Sequence, residues 1–469
     1  MKRCGLISTR DTSNESIIPE LEKHRDDMRA VVIIPVLKQG RQPKEASATT
    51  APRTMEAKLE EAKGLALAID LNITAGLIVP VNQPKPGTLF GSGKIEEIKQ
   101  LLDETDAGLV IVDHPLTPVQ QRNLEKEWNA KVIDRTGLIL EIFGRRASTK
   151  EGTLQVDLAH LNYQKGRLVR SWTHLERQRG GAGFMGGPGE TQIEADRRLL
   201  QDKIVKLERE LEQVVRTRQL HRAKRRKVPH PIVALVGYTN AGKSTLFNRI
   251  TGAGVLAEDM LFATLDPTLR RMKLPHGRTV IMSDTVGFIS DLPTHLVAAF
   301  RATLEEVLEA DLILHVRDMS DPDNAAQSGD VLRILNDLGI DEKVADERII
   351  EVWNKVDRLE PEAHDAIMHK AEGRNNVRAV SAITGEGVDS LMDEISRRLS
   401  GVLLQMTATL SVEQLHQLSW VYDNAIVDSR EDNEDGSVTL DLRLSDALWQ
   451  ELERRTGKGQ KPAEDDWQR

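Results

Sequence analysis

Apolar residues in the first third of the chain fall into short, nearly continuous runs. Val31–Val36, Ala75–Val81, Leu109–Asp113 and Lys131–Asp134 are such runs, and between them lie stretches at about 54–69, 94–104 and 117–128 where apolar positions recur at helical spacing. A run of about four to eight apolar residues between polar flanks marks a strand buried on both faces, and the helical stretches supply the crossovers that parallel strands need. Residues 30–143 are therefore predicted to form a small α/β domain behind an N-terminal extension at 1–29. Within it, Gly40–Pro52 is polar and carries Pro and Thr, which reads as a loop or linker.

At 144–228 the rhythm changes. Leu154, Leu161 and Leu168 form one line and Leu158 with Trp172 another; further on, Ile193, Leu200, Leu207 and Val214 recur every seventh residue beside Ile204 and Leu211. The positions between are almost all charged, so neither segment has a complete core alone. The spacing predicts one long helix over roughly 190–226 packed antiparallel against the preceding one. Between them, Arg179–Gly189 holds six glycines in eleven residues and cannot be helical. A helix–helix connector needs only about 2–8 residues. The tip at 180–189, with its Phe184-Met185 pair, reads as built for insertion into a crevice, the plainer reading being a hairpin connector.

Residues 229–402 return to alternating strand and helix patterns, which predicts a doubly wound sheet. Beyond it, Ser437–Leu444 alternates with period two and Leu415–Tyr422 has helical character. A small α+β domain over 403–456 follows, with a polar tail at 457–469. The whole is an α/β multidomain chain.

Candidate chemistry concentrates at the ends of the strand-like runs in 229–402. After Ile232–Val236 comes Gly237, Tyr238, Thr239, Asn240, Ala241, Gly242, Lys243 and Ser244, followed by a helical stretch. Gly237 and Gly242 let the backbone wrap a polyphosphate with N–H groups inward, Lys243 neutralises the β/γ oxygens and Ser244 offers a hydroxyl to magnesium. Asp284, Thr285, Val286 and Gly287 end the run at Thr279, placing Asp284 beside the metal and the Gly287 N–H near a terminal phosphate. Asn354, Lys355, Val356 and Asp357 follow Arg348–Trp353; a carboxylate at Asp357 accepts the paired N1–H and N2–H of guanine, a pattern adenine lacks. Ser381, Ala382 and Ile383 follow Val377–Val380 and would aim a backbone N–H at the guanine O6. Each tetrapeptide alone is commonly a turn. Their order, each after a strand-like run, points to GTP rather than ATP. Gly91–Lys94 looks superficially like a second phosphate loop but lacks the upstream glycine and the hydroxyl after the lysine.

Composition limits the function classes. The chain has 469 residues, 39% hydrophobic and 29% charged, enough for about three cores. Its one cysteine, Cys4, has no partner for an intramolecular disulfide, no apolar stretch has signal-peptide character, and no run reaches the roughly 18–20 apolar residues of a membrane span. Those features fit a cytoplasmic protein with no stable membrane insertion. The net charge of −9 hides an asymmetry: residues 144–230 hold 20 Lys or Arg against 10 Asp or Glu. The densest part, Arg216–Lys227, has seven cations and no acid, a footprint suited to phosphate backbones and hence to RNA, where the plainer reading is a solvated helix face.

The Gly237–Ser244 loop, the Phe262–Thr268 segment, Asp284–Ile289 and the glycine-rich Gly180–Glu190 loop together closely resemble the HflX-type GTPases of the Obg-HflX superfamily, over nearly the whole chain. The resemblance implies a GTP phosphohydrolase that binds the large (50S) ribosomal subunit and its rRNA, splits or rescues stalled or idle 70S ribosomes, and reaches toward the peptidyl transferase region with its hairpin. It implies that Phe262, Ala263, Thr264, Leu265 and Asp266 close over the nucleotide, with Thr264 joining Ser244 at Mg2+; Thr268 is an alternative ligand by spacing. A glutamine that orients the attacking water would stand at 288, where this chain has Phe288, so slow intrinsic turnover and acceleration by a bound partner are expected. Lys243, Asn240 and Gly287 are the expected catalytic groups, Asn240 either recruiting K+, as in related GTPases, or bracing its loop. A monomer is expected. An assembly or RNA-modification GTPase of a related branch and a nucleotide-switched RNA scaffold are the alternatives.

Overall fold

The computed structural model describes residues 28–37, 53–178, 188–225, 230–254, 262, 267–275, 279–290, 306–341, 347–400, 404–444 and 446–456. The glycine-rich residues 180–187, the switch residues 263–266 and the polar stretches 38–52 and 457–469 lie outside them.

The N-terminal sheet has four parallel strands in the order β2-β1-β3-β4, formed by β1 (Arg29–Leu37), β2 (Asn72–Val81), β3 (Leu109–Val112) and β4 (Lys131–Asp134). Helices α1 (Met55–Leu67), α2 (Ser92–Thr105) and α3 (Pro118–Trp128) are the crossovers. Thr117 opens α3 with a reciprocal bond to Gln120 and a proline in the first turn, which satisfies two otherwise orphaned donors. One face of the sheet closes over Ile33, Phe90 and Trp128.

A further helix, α4 (Arg135–Arg146), follows β4 directly and was not expected from the sequence pattern. Residues 135–143 are all buried. Its basic residues stand at its two ends, and the largely apolar run Leu138–Phe143 between them is too short to tell helix from strand by spacing. The two long helices predicted downstream are present as α5 (Lys150–Gln178) and α6 (Pro188–Arg225). Lys165 meets Gln201 at 2.5 Å and Glu151 meets Arg218 at 3.1 Å, so residue numbers run in opposite directions and the pair is antiparallel. Ile204 of the heptad line is buried between them.

The central sheet has six strands in the order β10-β9-β8-β5-β7-β6. Its strands are β5 (Ile232–Gly237), β6 (Thr268–Lys273), β7 (Thr279–Asp284), β8 (Leu312–Asp318), β9 (Ile349–Asn354) and β10 (Val377–Ala379); all pair in parallel except β6, which is antiparallel at the edge. Helices α7 (Lys243–Thr251), α8 (Asn324–Asp337), α9 (Pro361–Glu372) and α10 (Val388–Ser400) belong to the described part of this unit. Three antiparallel strands, β11 (Leu404–Leu410), β13 (Val438–Leu444) and β12 (Ile426–Asp432), form the last sheet in that order. The period-two pattern is visible in β13, whose alternate residues Val438, Leu440, Leu442 and Leu444 are buried. The helical stretch before it divides into a 3-10 turn at Val412–Gln417 and α11 (Leu418–Asn424), and α12 (Asp446–Thr456) closes the unit.

The N-terminal and central units share an apolar core. Ile139 and Phe143 of α4 belong to the same buried cluster as Val236, Phe288, Ile289 and Ile313 of the central unit. Close packing of this kind resists independent displacement of the parts. Among the described residues no helix is long and apolar enough to cross a membrane.

Candidate functional site

The phosphate loop lies where β5 passes into α7, as a strand-to-helix phosphate site requires. Gly237 has φ 154° and a Cβ there would run into the Val316 carbonyl of β8; Gly242 has φ 87° and a Cβ would run into the Asn354 amide. Those two positions accept only glycine without strain. Asn240 also takes a left-handed conformation, φ 59°, with its side chain exposed at the rim. Lys243 opens α7, is buried, and donates from Nζ to the Tyr238 carbonyl at 2.7 Å. Burial lowers its pKa to about 8, with Asp284 opposing and Lys355 adding to the fall. A bound polyphosphate would restore the full charge, so this lysine is matched to an anion.

Ser244 Oγ donates to Asp284 Oδ2 at 2.7 Å, joining the start of α7 to the end of β7. A hydroxyl and a carboxylate in contact at the mouth of a phosphate loop are the hard oxygen donors that a magnesium ion takes. Three residues on, Gly287 lies against the loop: a Cβ there would stand 2.9 Å from Thr239 Cα and 3.2 Å from Lys243 Nζ. The backbone zips the two segments together, with Thr239 N–H donating to the Phe288 carbonyl at 2.8 Å and Phe288 N–H to the Gly237 carbonyl at 3.0 Å. Phe288 itself points into the core, and Thr285 and Val286 are also buried.

The remaining motif residues converge on the same loop. Asn354 donates from Nδ2 to the Ala241 carbonyl at 2.8 Å and accepts at Oδ1 from the Ala382 N–H at 3.0 Å. Ser381 Oγ donates to Asp357 Oδ1 at 2.6 Å and accepts from the Thr384 N–H at 3.0 Å, which orients the carboxylate. Lys355 pairs with Asp318 at 2.7 Å, Val356 is buried beneath, and Ile383 is exposed at the rim. Phe262 is buried; Ala263, Thr264, Leu265 and Asp266 lie outside the described residues. Thr268 is committed to the edge strand, in register with Asp284.

Sequence reasoning placed Tyr238 in the phosphate loop but missed Arg249 and the distant partners of the Tyr238 hydroxyl. Arg249 donates from Nε to the Ala382 carbonyl at 2.6 Å and also reaches the Ile383 carbonyl, clamping the base loop to α7. The Tyr238 side chain leaves the loop altogether: its hydroxyl donates to Glu61 of α1 and accepts from Arg53 at 2.8 Å and the Ser290 N–H at 2.9 Å. Burial pushes Glu61 up, but Arg135 and Arg53 outweigh it and hold the carboxylate below its ordinary range. No local signal marks these residues.

Four family models tile the chain: GTP-binding GTPase N-terminal at 56–144, its middle region at 146–225, a 50S ribosome-binding GTPase at 232–355, and the HflX C-terminal domain at 366–467. A GTPase HflX of Magnetococcus marinus is 50% identical over 390 residues, covering 83% of this chain and 88% of that one. The chain belongs to the HflX GTPase family. The HflX of Escherichia coli is 46% identical over 79% of this chain and 85% of its own, and that of Lacrimispora saccharolytica 45% over 75% and 81%. As an HflX GTPase the chain is a GTP hydrolase.

Proposed function

We propose that this HflX chain docks on the large ribosomal subunit, that its GTP-bound form splits or rescues stalled or idle 70S ribosomes, and that the particle stimulates hydrolysis. The carrying observation is the burial of Phe288: the position after Gly287 offers the attacking water nothing, so the site is equipped to hold GTP and poorly equipped to cleave it alone. The long antiparallel pair α5 and α6 would supply a prong for ribosomal RNA, with the basic run that begins at Arg216 at its base, where Arg218 meets Glu151. The match of residues 232–355 to a 50S ribosome-binding GTPase model supports the same partner.

In this reading the loop N–H groups and Lys243 hold the β- and γ-phosphates, the Gly287 N–H faces the γ-phosphate, and Asp357 with a backbone N–H of the Ser381–Ile383 segment reads guanine. Ser244 would hold Mg2+ with Thr264 as the family pattern assigns it, and the ion would supply neutralising charge at the phosphate oxygens. Asn240, exposed at the rim beside the phosphates, offers a carbonyl oxygen to K+ as a further positive charge.

The test is GTP turnover by the purified chain with and without large subunits, in potassium and in sodium. Manyfold stimulation by subunits, greater in potassium, is expected, together with a shift of 70S particles to subunits under a nonhydrolysable GTP analogue. Equal rates with and without ribosomal particles would sink the proposal; action on assembly precursors with mature 70S left intact would transfer it to the assembly branch.

A further inference from the structure

Helix α4 touches the hairpin and both switch segments at once. Its N-cap, Asp134, accepts from the Gly137 N–H at 2.8 Å and from the Tyr163 hydroxyl at 2.7 Å on one oxygen, and from the Leu116 N–H at 3.2 Å and Arg167 Nη2 at 2.7 Å on the other. Tyr163 and Arg167 belong to α5, the first helix of the hairpin. The next residue, Arg135, faces the nucleotide-binding unit: its Nη2 donates to the Ser290 carbonyl at 2.8 Å and to Glu61 Oε1 at 2.7 Å, and Nη1 pairs with Asp113. Ser290 lies three residues past Gly287, and its N–H and hydroxyl are also held, by Tyr238 at 2.9 Å and Glu61 at 3.0 Å. At the other end of α4, Phe143 packs edge-on against Phe262, the first residue of the switch segment that precedes β6, with ring centroids 4.8 Å apart.

We propose that α4 is the mechanical link through which the hairpin sets the two switch segments, with Asp134 and Arg135 as positioning residues for GTP hydrolysis. The inference rests on the nucleotide-switch reading above and names the route within it. Consecutive Cα atoms stand about 3.8 Å apart, so a shift of α5 that drags Asp134 moves Arg135 with it. Both charges of the Arg135 pairings and both of the Arg53–Glu61 pairing are nearly dry, with side chains no more than 10% exposed. A buried, balanced knot of this kind contributes little net stability but holds one arrangement firmly, since any other leaves charges unpaired. Moving residues 287–290 toward a γ-phosphate breaks bonds at all three polar groups of Ser290, and the knot has to re-pair. Linkage then makes the effect reciprocal: nucleotide state biases the base of α5 as much as α5 biases the switches.

Amide hydrogen exchange over residues 150–167 with GDP and with a nonhydrolysable GTP analogue tests the link without ribosomes. Arg135→Lys keeps the charge but loses the fork that spans Ser290, Glu61 and Asp113; Tyr163→Phe removes only the hydroxyl on Asp134. In the wild type the base of α5 should exchange at rates differing severalfold between the two nucleotide states, and both variants should abolish that difference while keeping GDP affinity within about twofold. Should Arg135→Lys fail to fold, Tyr163→Phe, which leaves every charge in place, carries the comparison. Identical exchange in both states of the wild type, or a difference that survives in Tyr163→Phe, overturns the link. With large subunits added, Tyr163→Phe should keep basal turnover and lose about tenfold of stimulated kcat at unchanged KM for GTP. If subunits fail to stimulate even the wild type, the ribosomal reading fails while the exchange result still decides the role of α4.

Discussion

Asn354 and Ala241, 113 residues apart in sequence, are joined by a 2.8 Å bond from the asparagine amide to the loop carbonyl. Through it the Asn354–Asp357 segment braces the backbone of the Gly237–Ser244 loop. The second half of the same amide takes the Ala382 N–H, so a single planar group fixes three loops.

Specificity for guanine should therefore fail in a particular way. Asp357→Asn replaces an acceptor pair by a group that can donate, which leaves the guanine N1–H and N2–H without a carboxylate. GTP affinity should fall at least about a hundredfold, because a site built to hydrogen-bond one edge rejects the wrong edge strongly. Xanthosine triphosphate, with an oxygen where guanine has its amino group, should bind the variant better than GTP does; competition with a fluorescent nucleotide reads both.

Gly287→Ala separates the diphosphate from the triphosphate. The new Cβ meets the backbone of Thr239 at 2.9 Å, so the segment must withdraw from the phosphate loop while the loop itself survives. GDP affinity should change by less than about threefold, and affinity for a GTP analogue together with turnover should drop about tenfold or more with loss of the N–H contact. Parallel loss for both nucleotides would show that Gly287 acts on the loop instead.

Restoring a glutamine after the glycine should not rescue catalysis. Phe288 is 3% exposed and sits in the shared core, so Phe288→Gln forces an amide into an apolar site. A loss of about 2–4 kcal/mol in unfolding free energy is expected, with no rise in basal turnover. Denaturant titration and single-turnover hydrolysis measure the two sides.

Acid should weaken the nucleotide-binding unit through His315. Burial, with Arg317 and Lys243 near and Glu351 opposing, lowers this histidine from 6.5 to about 4. Below its ordinary value the unfolded chain binds a proton that the folded chain refuses, so the stabilisation is present above about 6.5 and is lost as pH falls toward 4, by up to about 1.4 kcal/mol per unit. Unfolding midpoints followed from about pH 7 to about pH 5 should fall less steeply in His315→Gln than in the wild type. An unchanged slope would mean that this histidine does not carry the effect.

The residues whose roles are local were legible from the chain. Gly237 and Gly242 stand where the backbone needs conformations that side chains oppose, and the strands before each motif announce themselves by continuous apolar runs, so the elements and the order of the phosphate and base segments could be read directly. The alternation in β13 and the heptad lines of α5 and α6 were visible because one face of each element is wet.

Tertiary structure alone decided the rest. The buried, largely apolar run Leu138–Phe143 of α4 is too short to announce a helix by its spacing, and Glu61 meets Tyr238 across 177 residues of chain. Periodicity records what each segment shows to solvent, whereas a charge matched by three distant partners leaves no trace along the chain. The sequence determined which elements form and what chemistry each can offer; folding decided which of them share a core, and thereby that the base of the hairpin and the segment ending at Ser290 meet at a common helix.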